Sequence, residues 1–201
     1  RVEARKTAEL IKDIKFDAIV GNPPFIRYQN FEQQYSDRAF KIMKSAGLHP
    51  NRLTNAWAPF LLSSALLLKD TGRIAMVIPA EIMQVNYAAE LRLFLSEFFN
   101  AITLITFEEI LFPGIQQEVV LFLGEKEPNG HGINVVHLKN EKCLRGYIHK
   151  LPTKKDCKPV DHTKDKWTQY YLTKEEIFFL RKIKNDSRLK RFGELAEVDV
   201  G

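Results

Sequence analysis

Cysteine is nearly absent from this 201-residue chain: Cys143 and Cys157 are the only two, and they lack C-x-x-C spacing. That excludes a disulfide framework and suits a reducing compartment. Long apolar runs are missing as well. The longest, Ala56 to Leu68, is about two-thirds of a membrane span and stops at Lys69-Asp70, so no transmembrane helix is expected. No signal peptide is visible. The five histidines, His49, His131, His137, His149 and His162, show no metal-ligand pairing with cysteines or carboxylates and read as non-catalytic, so no metal is expected. No internal repeat is evident.

What is present is ordinary globular composition, 45% hydrophobic and 27% charged, enough for one sizeable core. Disorder and collagen-like repeats are thereby excluded. The formal net charge of +5 is unevenly placed. Residues 1–124 balance at 13 basic and 13 acidic side chains, whereas residues 125–201 hold 17 basic against 12 acidic. A basic segment after a neutral one fits a polyanionic partner, and it also fits a solvated lysine-rich face.

Phe16 to Gly21 is a short apolar run closed by Asn22-Pro23-Pro24, which predicts a buried strand ending in a rigid turn. Asn55 to Leu68 reads as a largely buried helix capped by Asn55 and ended by Thr71-Gly72. Arg73 to Ile78 reads as a second buried strand stopped by Pro79, and Ala88 to Phe99 as a helix with Leu91, Leu95 and Phe98 on one face. Ala101 to Phe107 and Glu118 to Leu123 read as further strands. This alternation predicts an α/β fold, a mainly parallel Rossmann-like sheet with helices on both faces. After Gly124 a turn-rich linker precedes two short alternating strands, Ile133 to Leu138 and Leu144 to Ile148. Residues 150–166 read as an exposed loop, Lys174 to Ile183 as an amphipathic helix and Phe192 to Val200 as the opening of a β element. A small mixed β/α extension is thus expected over 125–201. Arg1 to Ile14 reads as helical sequence running straight into a strand, an opening expected of a chain cut within a fold.

The chemistry concentrates in Asn22-Pro23-Pro24-Phe25. In open α/β sheets ligands bind outside the carboxyl ends of strands, where this tetrapeptide falls. Asn22 presents a side-chain carbonyl, the Pro-Pro turn lacks two backbone donors but keeps its carbonyls, and Phe25 supplies a flat apolar face. Two acceptors beside an aromatic face suit a planar heterocycle bearing an amino group. Accepting both amino hydrogens draws the nitrogen lone pair out of ring conjugation and makes it a better nucleophile. The plainer reading is a Pro-Pro turn that merely ends a strand.

Phe16 to Phe25, the segment Asn55-Ala56-Trp57-Ala58-Pro59-Phe60, the strand Gly72 to Pro79, Leu111-Phe112-Pro113-Gly114 and Arg191 to Val198 together resemble, in family order, the adenine-specific DNA methyltransferases of restriction-modification systems. The resemblance implies S-adenosylmethionine as cofactor, double-stranded DNA as substrate, a restriction endonuclease or specificity module as a further partner, and a cytoplasmic, prokaryotic setting. It implies that Asn22 and the Pro23 carbonyl accept the adenine amino hydrogens, with Pro24 completing the catalytic turn. Phe25 would stack on the flipped base, Phe112 would pack against it from the other side, and Asn22 and Phe60 would face the cofactor. For Phe60 and Trp57, plain core packing stays open. Lys154, Lys155, Lys158, Lys164 and Lys166, clustered in one loop, are candidates for DNA phosphate contact, with solvated loop lysines as the alternative.

The family's glycine-rich cofactor turn and ribose-binding acid do not occur among the 21 residues before Asn22, and Asp17 reads as structural. The expectation is therefore that residues 1–124 are the C-terminal half of a methyltransferase domain and residues 125–201 a basic lead-in to a DNA target-recognition domain. The main cofactor motif is expected upstream of Arg1, so this piece alone should bind cofactor weakly or not at all. Two other readings stay open: a methyltransferase acting on protein glutamine or RNA amino groups, and a catalytically silent DNA-binding module.

Overall fold

In the computed structural model, which describes residues 14–30, 32–110, 117–126, 132–147, 157–190 and 192–197, the apolar runs become five strands of one sheet. These are β1 (Phe16–Gly21), β2 (Leu68–Pro79), β3 (Ala101–Phe107), β4 (Val119–Glu125) and β5 (Gly132–Leu138), in the order β1-β2-β4-β3-β5. β1 is parallel to β2 and β3 to β5, while β4 runs antiparallel to both β2 and β3. Four strands therefore share a direction and β4 opposes them, giving the mainly parallel α/β architecture that the sequence predicts. The described residues also form α-helices: α1 (Gln33–Ser45), α2 (Trp57–Leu66), α3 (Ala89–Phe98), α4 (Glu141–Tyr147) and, beyond the sheet in sequence, α5 (Lys174–Lys184).

The core follows from strand alternation. Ile74, Met76 and Ile78 of β2 sit opposite Gly124, Phe122 and Val120 of β4, and Ile102 and Leu104 of β3 meet Gly124 and Phe122 from the other side. All these apolar side chains are buried. On this face Phe122 meets Phe99 edge-on at 5.8 Å between ring centres and stacks with Trp167 at 6.5 Å. Side chains of this size each contribute about 1.5–3 kcal/mol when fully buried. α2 packs on β2 and touches α3, and its Trp57, Leu61, Leu62 and Ala65 are all buried. Pro59 is tolerated inside α2 because it lies in the first turn, where a backbone N–H has no helical partner. α1 ends in a glycine-terminated reverse turn: Gly47 takes φ +79°, and the Leu48 and Gly47 amides donate to the Met43 and Lys44 carbonyls.

Several local expectations are corrected. β1 is not a buried strand. Among the described residues β1 is the outer strand, with β2 on one side, and Phe16, Asp17, Ala18 and Val20 are exposed, Val20 at 83%; an apolar run cannot reveal strand order. Asn55 does not cap α2; Ala56 occupies that position without a side-chain cap bond. Thr71-Gly72 does not end the helix, which stops at Leu66. Lys69 to Gly72 belong to β2, where the register jumps between Phe16↔Leu68 and Ala18↔Arg73. The strand expected over 144–148 is instead α4, with Leu144 and Tyr147 turned partly inward at a spacing of three and the helix set against β5. Phe192–Glu194 is a short 3-10 turn, not a β element. The predicted opening helix falls on residues 1–13, outside the described residues.

The sheet does not stop at Gly124, where the charge balance changes. β5 adds to β3, and the chain divides into compact units at Thr168, Arg1–Thr168 and Gln169–Gly201. In the second unit, α5 opens with a reciprocal cap: the Glu176 amide donates to Thr173 Oγ1, and the Thr173 amide donates to the Glu176 carboxylate. In the first, the loop over 157–166 is attached by two devices. Lys158 exchanges backbone hydrogen bonds with Ile133, an approach close enough that a side chain at Gly132, itself at φ +85°, would overlap the Lys158 carbonyl. Arg92 of α3, 1% exposed, donates from Nε to the Asp165 carbonyl and from Nη2 to the Lys164 carbonyl, and from Nη1 to the carbonyls of Ile82 and Val85. Burial lowers its pKa to about 10, so it stays charged at neutral pH. A charged residue inside the buried stripe of α3 was not anticipated.

Glu90 adds a third attachment: Lys164 Nζ and the His49 amide donate to its carboxylate, at 2.9 and 2.6 Å. The Lys164 hydrogen bond, followed by that from His49, holds the Glu90 pKa down at about 2 against an ordinary 4.5. Because the folded value is depressed, its contribution to stability is complete above pH 4.5 and is lost as pH falls through about 2. Urea unfolding as a function of pH should show this loss, smaller in high salt because the pair is largely exposed, and Glu90→Gln should abolish it. Arg92→Met should destabilise by about 3 kcal/mol or more, since it leaves four carbonyls without their donor, and Arg92→Lys should recover only part of that.

Candidate active site

β1 and β2 run parallel and point their carboxyl ends to one edge of the sheet, where antiparallel β4 begins with Val119 opposite Pro79. β1 delivers Asn22-Pro23-Pro24-Phe25 there. Asn22 and Pro24 are exposed, Pro23 is buried and Phe25 half-buried. The prolines remove two donors, so the chain cannot continue the strand ladder. Two hydrogen bonds then fix where it goes. The Ala56 amide donates to the Ile26 carbonyl at 2.9 Å, and the Tyr28 amide donates to Asn55 Oδ1 at 3.3 Å. The Tyr28 ring stacks on Phe40 of α1, 5.4 Å between centres and 16° from parallel. Ahead of these pins, the Asn22 carboxamide and the Pro23 carbonyl have no hydrogen-bond partner among the described residues. The result is a rigidly held loop with two uncommitted acceptors and an adjacent aromatic ring.

Asn55 has a different use from the helix cap that its position suggests. Its Oδ1 holds the Tyr28 amide while its Nδ2 donates to Glu81 Oε2 and to the Tyr87 hydroxyl, each at 3.2 Å. Tyr87 in turn donates to Glu81 Oε2 at 2.6 Å and accepts from Trp57 Nε1 at 3.2 Å. Glu81 Oε1 accepts from Gln117 Nε2 at 3.3 Å, and the Glu118 carbonyl accepts from the Ala80 amide at 2.9 Å. One carboxylate at the end of β2 thus connects the segment before α2, the turn before α3 and the segment before β4. Burial, and secondly the Glu81 carboxylate, raise the Tyr87 phenol well above its ordinary 10.0.

The structure separates the two aromatic residues of α2. Trp57 is fully buried and packs tilted against Tyr87 at 6.2 Å, so it is core. Phe60 is 46% exposed on a helix whose Trp57, Leu61 and Leu62 are buried, and it lies one turn beyond the Ala56 pin. Phe112 lies outside the described residues. Asp17 is exposed and salt-bridged to Lys69 Nζ at 2.9 Å, in keeping with a structural role. Of the loop lysines, Lys154 and Lys155 lie outside the described residues. Lys158 is committed through its backbone to Ile133, and Lys164 is paired with Glu90. Lys166 faces a groove beside Tyr28, Asn55 and Tyr87. Among the described residues no group of three or more His, Cys, Asp or Glu side chains converges as a metal site would.

Glu81, Tyr87, Gln117 and the bridging use of Asn55 went unread in the sequence. Glu81 carried one available signal, an acid placed just after the proline that stops a sheet strand. Tyr87 and Gln117 carried none: Gln117 is 36 residues from Glu81, and Tyr87, although six residues from Glu81, also meets Trp57 and Asn55, 30 and 32 residues earlier.

The Eco57I restriction-modification methylase family model matches residues 2–112. Among curated proteins the chain is similar to the type II methyltransferase M.HincII of Haemophilus influenzae, 26% identical over 132 residues, covering 65% of this chain and 26% of that protein. It is similar also to M.AccI of Acinetobacter calcoaceticus, 25% identical over 175 residues, covering 82% and 32%. The chain therefore spans about a quarter to a third of the length of these relatives. Among solved structures, a nuclease-deletion mutant of the Type ISP restriction-modification enzyme LlaGI with a DNA substrate mimic aligns with TM-score 0.57 at 14% identity, over 74% of this chain and 17% of that one. The type IIG restriction endonuclease BpuSI aligns with TM-score 0.55 at 19% identity, over 89% and 23%. At such identities these two structures speak for the fold alone.

Glu81→Gln should move the Tyr87 phenol transition to lower pH, followed by ultraviolet absorbance, while burial keeps it above the ordinary tyrosine value. The raised phenol contributes stability that is complete below about pH 10 and lost as pH rises through the folded value, and the substitution should narrow that window. Glu81→Leu should cost about 2–4 kcal/mol in urea unfolding, because three donors lose a charged acceptor.

Proposed function

The chain belongs to the Eco57I restriction-modification methylase family, and from that premise we propose that it carries the amino-group-accepting site of an adenine-specific DNA methyltransferase. One observation carries the reading. The Asn22-Pro23-Pro24-Phe25 loop is pinned at Ile26 and Tyr28, yet leaves the Asn22 carboxamide and the Pro23 carbonyl without a hydrogen-bond partner among the described residues, at the carboxyl edge of the sheet.

Two acceptors in fixed positions beside Phe25 take the two hydrogens of an exocyclic amino group, and the ring bearing it stacks on Phe25. Holding both hydrogens keeps the nitrogen lone pair from delocalising into the ring and directs it away from the loop. This support grows as the nitrogen becomes more positive, so it favours the transition state over the bound substrate. Rigidity matters because a positioned nucleophile avoids the entropy of alignment, and the pins at Ala56 and Asn55 provide it. A duplex base cannot reach such a site while stacked, so adenine is expected to be flipped out, with Phe25 and Phe112 offsetting part of the cost of a few kcal/mol.

The family implies S-adenosylmethionine, and part of the described site suits it: Phe60 offers an exposed ring on a mostly buried helix, and Asn22 an amide with no partner among the described residues. S-adenosylmethionine, when bound, supplies an electrophilic sulfonium methyl group. Phe60 would hold the flat adenine end of the cofactor, and Asn22 would border the reacting side. Longer relatives are consistent with additional segments completing cofactor binding and target recognition, and with a restriction endonuclease or specificity module as partner.

In the full-length protein, Asn22→Ala should lower methyl transfer to duplex DNA at least about 100-fold while DNA affinity stays within about threefold of wild type. Tritiated methyl from S-adenosylmethionine, followed by nucleoside analysis, reads both the extent and the base. Full activity in the variant, or label in glutamine or RNA instead of adenine, would overturn the assignment.

A further inference from the structure

Beside the pinned loop lies a groove of about 570 Å³ whose floor is Tyr28, Asn55 and Tyr87, members of the network that holds the loop in place. Its rim carries Arg27, Arg52 and Lys166. These cations come from three distant parts of the chain: the exit of the catalytic loop, the segment before α2 and the end of the 157–166 loop. No acidic side chain lines the groove. All three side chains are exposed, and none has a hydrogen-bond or ion-pair partner among the described residues. Elsewhere on this unit Lys69 is paired with Asp17, Lys126 with Asp70 and Lys164 with Glu90, while exposed lysines such as Lys41 and Lys44 stand on a solvated helix face and not around a groove.

A single exposed lysine needs no explanation. Three cations that tertiary folding brings to one concave surface, none of them paired among the described residues, give that surface a positive potential that favours an anion. The rim offers two guanidinium forks and one ammonium, donors matched to phosphate oxygens. The lining adds the exposed carboxamides of Gln29, Gln84 and Asn86 beside the Tyr28 ring, as suits a sugar-phosphate strand more than a lone ion. The Arg92 and Glu90 attachments keep the 157–166 loop docked, and so keep Lys166 at the rim.

We propose that this groove is the phosphate clamp for the nucleic-acid strand adjoining the target base, with Arg27, Arg52 and Lys166 contacting successive phosphodiesters. The inference rests on reading the neighbouring loop as the site that receives a flipped base. It relocates backbone contact from a lysine-rich loop to a composite surface, two of whose three cations come from the charge-neutral part of the chain. The clamp positions the strand without reading its sequence.

The test uses the full-length protein and duplex DNA, with fluorescence anisotropy across a salt series. Relative to wild type, the triple variant Arg27→Ala, Arg52→Ala, Lys166→Ala should weaken binding of cognate and non-cognate duplexes alike. It should also flatten the slope of log affinity against log salt by about 2–3, roughly 0.9 for each lost contact. Arg27→Lys with Arg52→Lys, which preserves charge, should keep the slope. Replacing the phosphates that flank the target adenine with neutral methylphosphonates should weaken wild type and leave the triple variant unaffected, which separates strand phosphates from a free phosphate ion as the ligand. If wild type binds DNA and the triple variant retains its affinity and salt slope, the clamp is overturned while the reading of the catalytic loop stands. If wild type itself shows no DNA binding, both are overturned.

Discussion

The carboxylate of Glu81 accepts hydrogen bonds from Asn55, Tyr87 and Gln117, side chains of three segments that meet only at the carboxyl edge of the sheet. The rest of the edge is organised by that acceptor. Asn55, oriented through its amide nitrogen, has its oxygen left to hold the Tyr28 backbone, and the Tyr28 and Ile26 pins fix the exit of the Asn22-Pro23-Pro24-Phe25 loop. A charged acceptor is suited to this because bonds to it are stronger than neutral ones, and leaving it partly unsatisfied in a half-buried place would be costly. The two acceptors proposed to act on substrate are free because the structural demands of the loop are met by other atoms.

A second constraint is the reversal of β4. Inserting an antiparallel strand between β2 and β3 brings the segment before β4 back to the edge where β1 and β2 end. Gln117 thereby reaches Glu81, and the Glu118 carbonyl receives the Ala80 amide. On the far side of α3, Arg92 performs the corresponding task for the 157–166 loop, a guanidinium shared among four carbonyls. Both devices use one charged group to connect several irregular segments, which have no ladder of their own to satisfy their backbone groups.

Much of the fold was legible because it rests on periodicity and punctuation. The alternation of β2, the span of β3, the body of α3 and the extent of α5 could be read from apolar spacing and from Pro79, whereas Gly72, which reads as a helix stop, lies inside β2. The errors have a common origin. β1 was taken as buried because an apolar run does not disclose whether its strand is central or outer. Leu144 to Ile148 reads as a strand because Leu144 and Ile148, four residues apart, fit either period over so short a span, whereas Glu141–Tyr147 is helical. In the site, Asn22 to Phe25 was legible as a contiguous motif, and Phe60 was legible as a candidate but not as an exposed one.

What the sequence by itself determined is the local chemistry: a strand that ends in two acceptors, a donor-free turn and a phenyl ring, all contiguous and hence independent of how distant segments pack. What only the tertiary structure decided is the company that loop keeps. Glu81 with Tyr87, Gln117, Arg52 and Lys166 come from separate parts of the chain and join the loop and its neighbour Arg27 through strand order and loop docking. Net charge also changed its meaning. The sum over residues 125–201 located the surplus in the tail, yet pairing neutralises Lys164 while folding joins Lys166 to two arginines of the balanced segment. Electrostatic potential depends on distance in space and on which partners each charge has, and neither is written in the order of residues.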